Sequence, residues 1–185
     1  MSNSVIDLTI PVRVMVGPIM SLDRIEFNGC KTLFDKADRV MVHLSGIHLP
    51  VDRIVIEEPL MGFRPGMSSA QTITQLMRFN GIVSYIARNT FKAEPEYIGS
   101  AHARKLCGIK LQRTAVGGPQ KEQVFAHMAE HDLKNVKWPL TKSGKVVPWS
   151  RDTCDAYVIA RAAAVSGPIV PVVKKRKTKR DTQDG

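Results

Sequence analysis

The stretch SRDTCDAYVIARAA, residues 150–163, carries the reading of the fold. After its first turn, Cys154, Ala156, Tyr157, Val158, Ile159, Ala160, Ala162 and Ala163 leave almost no polar face, with Arg161 the one interruption. A helix that is apolar nearly all round is covered nearly all round, so this one is expected to pack in the interior. Ser150 is expected to cap it, and Gly167 with Pro168 to end it. Asp152 and Asp155, three residues apart, fall on one edge of the opening turn. Two charges at the mouth of a buried helix require an explanation.

Working outward, SVIDLTI (4–10) reads as a buried strand with Asp7 in its middle. VRVMV (12–16) and LDRIEF (22–27) are two further strands parted by Gly17 and Pro18, so the chain opens as an antiparallel meander. From Thr32 the spacing turns helical, with Leu33, Phe34, Ala37, Val40, Met41 and Leu44 on one face and Gly46 near the end. DRIVIEEP (52–59) is a buried strand that ends in Glu57 and Glu58 and is closed by Pro59. A loop, LMGFRPGMSSAQT (60–72), leads into a long central helix whose apolar face is Ile73, Leu76, Met77, Phe79, Ile82, Val83 and Ile86. PEYIGS (95–100) is a short strand, and Ser100 is expected to cap a helix through Leu106 that stops at Gly108. A glycine-containing loop and one more helix follow in AVGGPQKEQVFAHMAEH (115–131), then an irregular linker, NVKWPLTKSGKVVPW (135–149). The order predicts an α/β fold, one mixed sheet flanked by helices. Right-handed crossovers would set the first and fourth strands side by side, and Asp7 beside Glu57.

The 185 residues suffice for one well-buried domain, placed at residues 1–168, followed by a basic tail at 169–185 that is expected to be disordered. Lys and Arg number 27 against 17 Asp and Glu, a formal charge of +10. The tail residues Lys174, Lys175, Arg176, Lys177, Lys179 and Arg180, against Asp181 and Asp184, hold +4 of this and leave +6 on the domain. Such a balance favours a polyanionic partner, because neutralised phosphates release condensed counterions. The best apolar run is broken by Arg161 and Pro168, short of the roughly 18 to 20 residues of a membrane span. Three cysteines, Cys30, Cys107 and Cys154, show no C-x-x-C pair, and the five histidines show no ligand spacing. A soluble, reducing, cytoplasmic setting is expected, in a bacterial or phage-infected cell. The KKRKTKR tail also fits a nuclear-import pattern.

A carboxylate in an apolar strand costs several kcal/mol unless a cation or strong donors compensate it. Gathering Asp7, Glu57, Asp152 and Asp155 would raise their pKa values by mutual repulsion unless a divalent cation joined them. Hard oxygens in this number suit Mg²⁺ or Mn²⁺. Two such ions roughly 3.5 to 4 Å apart are a standard device for phosphoryl displacement. Each acid alone has a plainer explanation: the helix dipole for Asp152 and Asp155, worth about 0.3 to 1 kcal/mol, a solvated strand end for Glu58, and a loop for Asp7. Their combination with a basic surface points to a metal-dependent nuclease.

Through VIDLTI, IVIEEPLMGF, QTITQLMRFNGIVSYIA, GGPQKEQVFAHM and DTCDAYVIARAA, the chain resembles the RuvC family of Holliday junction resolvases, with D-x-x-D-A in DTCDAYVIA as the most specific piece. The resemblance spans most of residues 4–165 and looks more like a phage or viral member than a bacterial one. It implies a ribonuclease H-like five-stranded sheet, a homodimer, four-way DNA junctions as substrate, and two Mg²⁺ or Mn²⁺ ions per site. No small-molecule cofactor and no membrane are implied. By position it assigns the metal-binding and catalytic roles to Asp7, Glu57, Asp152 and Asp155, and places Lys121 near the scissile phosphate. Two departures stand out: LTIPVRVMV replaces the usual glycine- and Ser/Thr-rich turn after the first Asp, which makes Asp23 an alternative first acid, and Leu60 stands where an aromatic is usual. Phe63 is the nearest aromatic, either a stacking wedge at the junction or a loop residue folded onto the core. Arg64, Arg104, Lys105, Lys110 and Arg113 are expected to rim the acidic edge and hold phosphates along a duplex arm; each alone is equally an ordinary solvated cation. A broader branched-DNA or flap nuclease of the same fold, and a binding module without catalysis, are the alternatives.

Overall fold

The computed structural model describes residues 11–12, 22–59 and 69–167. Asp7, Phe63, Arg64 and the tail at 169–185 lie outside the described residues.

The architecture is mixed α/β. Strand β1, Pro11–Val12, pairs antiparallel with β2, Asp23–Arg24, with Val12 opposite Asp23; the side chain of Asp23 lies outside what is described. The LDRIEF segment leaves strand geometry after Arg24. Ile25 turns into the core, and Cys30 N–H closes a turn on Phe27 O at 3.0 Å, with Gly29 at φ +82°. Helix α1, Leu33–Ser45, begins where the spacing predicted. Thr32 Oγ1 accepts from Asp35 N–H at 3.1 Å, while the Asp35 carboxylate accepts from Thr32 N–H at 2.8 Å, a reciprocal capping box.

Strands β3, Ile54–Glu57, and β4, Pro95–Ile98, run parallel, with Ile54 opposite Pro95 and Glu57 opposite Ile98. Parallel neighbours need a long crossover, and helix α2, Ala70–Phe91, supplies it. Side chains alternate across β3 with the period of two. Ile54 packs with Ile25, Val40, Leu44, Phe79, Val83 and Ala87, the cluster centred on α1 and α2. Val55 packs on the other side, against a cluster drawn mainly from α3 (Ser100–Leu106), α5 (Gln120–Glu130) and α6 (Trp149–Ser166). A short helix, α4, Thr114–Gly117, precedes α5. Helix α6 buries Thr153, Cys154, Tyr157, Val158, Ile159, Ala162 and Ala163, as its composition predicted.

Among the described residues the strands form two separate two-stranded sheets, where one mixed sheet was expected. Strand β3 is half-buried and its last residue, Glu57, is exposed, so this acid does not carry the burial cost expected of it. Both expected serine caps are displaced. Gly99 occupies the N-cap of α3, and Ser100 is its first helical residue. Pro148, at φ −57° and ψ −38°, already has helical geometry, so α6 starts at Trp149 and Ser150 is drawn inside, fully buried, its hydroxyl without a hydrogen-bond partner in the described structure. No helix of the described residues is long and apolar enough to cross a membrane.

One side chain ties these layers together. Arg53, just before β3, donates from Nε and Nη2 to the two carboxylate oxygens of Glu96 on β4, both at 2.9 Å. It also donates to Ala163 O and Gly167 O, each at 2.7 Å, satisfying carbonyls that the end of α6 leaves open. The Glu96 carboxylate holds the Arg53 guanidinium above its ordinary pKa.

Candidate functional site

Glu57 ends β3 and is held from two other elements. Asn80 of α2 donates to its backbone carbonyl at 3.1 Å, and the Ser100 hydroxyl at the start of α3 donates to Oε1 of its carboxylate. Its neighbour Glu58 returns to the sheet through its backbone, donating to Ile98 O at 3.0 Å.

Helices α5 and α6 lie side by side in the same sense, matched along their length by polar contacts. Lys121 Nζ pairs with Asp152. One residue on, Glu122 takes a two-point bond from Arg151 at 2.9 and 3.0 Å. Arg151 also donates to Val146 O and Val147 O at 3.0 and 3.1 Å and lies 5.1 Å from the centre of the Phe125 ring. At the far end, Asp132 accepts from Tyr157 Oη at 2.8 Å and pairs with Arg161. This register sets Lys121 against the acidic edge of α6.

Asp152, Asp155, Glu57, Lys121 and Arg104 therefore share one neighbourhood. Burial pushes the Asp155 carboxyl up to about 6; the Lys121 charge opposes the rise, Glu57 and Asp152 add to it, and Arg104 opposes it. Burial alone would depress the Lys121 ammonium, but its bond to Asp152 and the charges of Asp152, Asp155 and Glu57 hold it above the ordinary lysine value. Glu57 of β3 and Asp152 of α6 thus both act on Asp155, and the Lys121 ammonium interacts with all three acids.

The donor set is all hard oxygen, with one carboxyl that gives up its proton close to neutrality. That chemistry fits Mg²⁺ or Mn²⁺. The three acids do not form a closed cage: among the described residues no three His, Cys, Asp or Glu side chains stand close enough to hold an ion by themselves. Asp7, the fourth expected ligand, lies outside the described residues.

Of the expected phosphate-binding cations, Arg104, Lys105 and Lys110 line a shallow cavity of about 320 Å³ with Gly108, Ile109 and Leu111. Arg113 is exposed at the start of α4. The loop carrying it is pinned by Gln123, whose Nε2 donates to Gln112 O and Gly118 O at 3.2 and 2.9 Å while its Oε1 accepts from Gln112 N–H at 2.7 Å. A Cβ on Gly117 would meet Gln123 Nε2 at 2.7 Å and Gln112 Cβ at 2.8 Å. Gly117→Ala is expected to break this clasp and cost about 1 to 3 kcal/mol, read by urea unfolding; a cost near zero would show that the loop gives way freely.

Ser100, Asn80 and Gln123 were not among the sequence candidates. Their partners lie 43, 23 and 11 residues away, and a polar residue on a predicted helix gives no local sign of a distant acceptor. Comparison with family models, with curated proteins and with solved structures gave no match.

The raised carboxyl has a consequence for stability. A carboxyl with a higher pKa in the folded chain favours folding only when protonated, so its contribution declines as pH climbs from about 4 through about 6 and opposes folding above that. Asp155→Asn is expected to stabilise the metal-free protein at pH 7 by about 1 to 2 kcal/mol, with the gain fading by pH 4. Urea unfolding of both chains at the two pH values checks this; a gain that is equal at both would contradict it. Added Mg²⁺ should stabilise the parent chain and not the variant.

Proposed function

We propose that the chain is a divalent-metal-dependent endonuclease that nicks branched DNA, four-way junctions above all, as a homodimer. The finer fold belongs to the same proposal: a ribonuclease H-like five-stranded sheet in which the segment bearing Asp7 lies beside β3. The observation that carries it is Asp155, partly buried and charge-coupled to Glu57 at the end of β3 and to Asp152 on its own helix. A fold that only needed to be stable would gain by removing these charges.

Glu57, Asp152 and Asp155, with Asp7, would hold the ions, which when bound supply Lewis-acid stabilisation of the phosphoryl oxygens and an activated water. Lys121 carries an ammonium at the same acids and would meet charge growing on a phosphate oxygen. Arg104, Lys105, Lys110 and Arg113, with Arg64 and Phe63, would bind flanking phosphates and the junction centre, fixing the strand without reading its bases. The formal charge of +10 serves the same partner.

Cleavage of four-way, three-way and linear duplexes under one salt condition tests the substrate. The reading predicts that the four-way junction is nicked at least about 10-fold faster than linear duplex. Equal rates on all three would remove junction specificity.

A further inference from the structure

We propose that Ser100 is a positioning residue for Glu57, its hydroxyl fixing which carboxylate oxygen turns towards a bound cation; this deepens the nuclease reading and rests on it. Glu57 is exposed at the end of a short strand. A glutamate there is free to swing, and holding its side chain in one rotamer costs conformational entropy. The structure supplies restraints from two directions. Asn80 Nδ2 holds the Glu57 backbone carbonyl at 3.1 Å, and Ser100 Oγ holds Oε1. The sheet register makes the second contact feasible, because Glu57 lies opposite Ile98 and β4 continues through Gly99 directly into Ser100.

The local sequence frees the hydroxyl for this task. A serine at a strand-to-helix junction ordinarily caps the helix with its own side chain. Here Gly99 takes the N-cap position and makes no side-chain bond, so the oxygen of Ser100 is directed across to the neighbouring strand. With Oε1 engaged as an acceptor, Oε2 is the oxygen left to face a cation. Partners of this kind around metal-binding carboxylates typically change metal affinity or activity by about 10- to 100-fold when removed.

The test uses the full chain and Mn²⁺ as the probe. Calorimetric titration of Mn²⁺ and nicking of a four-way junction at varied Mn²⁺ are measured for the parent, Ser100→Ala and Ser100→Thr, with circular dichroism melting to show that each is folded. Ser100→Ala is expected to weaken Mn²⁺ binding about 10-fold and to raise the Mn²⁺ needed for half-maximal nicking by a similar factor, with KM for the junction unchanged. Ser100→Thr keeps the hydroxyl and should stay within about 3-fold of the parent. Parental Mn²⁺ affinity in Ser100→Ala, or equal loss in Ser100→Thr, overturns the proposal. Failure of the nuclease reading itself looks different: Glu57→Gln and Asp155→Asn would then also leave Mn²⁺ binding unchanged, and the role of Ser100 falls with it.

Discussion

Asp155→Asn is expected to lower nicking of a four-way junction by at least about 10³-fold, equivalent to about 4 kcal/mol of transition-state stabilisation, while junction binding stays within a few-fold of the parent. The substitution keeps the shape of the side chain and removes its charge. In the proposed site it removes one hard oxygen ligand, from a carboxyl that burial, first, and the charges of Glu57 and Asp152 push up to about 6. The folded chain tolerates the change, since an amide carries none of the desolvation cost of a carboxylate. In the proposed complex DNA affinity would depend chiefly on the cations, and the variant carries one negative charge fewer. Binding without cutting is therefore the expected signature. Cleavage at the parental rate would refute the role given to Asp155.

The largest effect on stability is expected at Arg53. Arg53→Ala removes the two-point bond to the Glu96 carboxylate and the bonds to Ala163 O and Gly167 O at the end of α6. Breaking a well-buried pair costs about 3 to 5 kcal/mol. Arg53 and Glu96 keep 30% and 20% of their side-chain surface exposed, so about 2 to 4 kcal/mol is the appropriate expectation. A chain of this length should lose roughly 5 to 12 °C in melting temperature. Arg53→Lys should recover less than half of the loss, because an ammonium cannot reproduce the planar fork. A cost below about 0.5 kcal/mol, the range of an ordinary surface pair, would show that the clamp does not hold β3, β4 and α6 together.

How far the sequence foretold this structure differs from element to element. Helix α1 was readable from its spacing, from Thr32 to near Gly46, and runs from Leu33 to Ser45 because the Thr32–Asp35 cap and the stop at Gly46 act locally. Helix α2, strand β4 and the buried run of α6 were readable from period and composition. The caps at Ser100 and Ser150 were not. Each depends on tertiary pull, on Glu57 across the sheet in one case and on burial of the first turn of α6 in the other. The strand LDRIEF was foreseen as longer than it is, since β-branched and apolar residues suit a core loop as well as a strand. Within the candidate site, Asp152, Asp155 and Lys121 came from spacing and resemblance, and the structure brings them together with Glu57. The supporting contacts of Ser100, Asn80 and Gln123 were invisible because hydrogen bonding over long separations leaves no periodic trace.

The most direct measurement incubates the full chain with a labelled four-way junction in Mg²⁺, with and without chelator, and maps the products to the nucleotide. The account predicts paired nicks at symmetric positions in the presence of metal and none in its absence. Nicks that persist in chelator, or no cutting with Mg²⁺ or Mn²⁺ across the pH range on either side of 6, would contradict it.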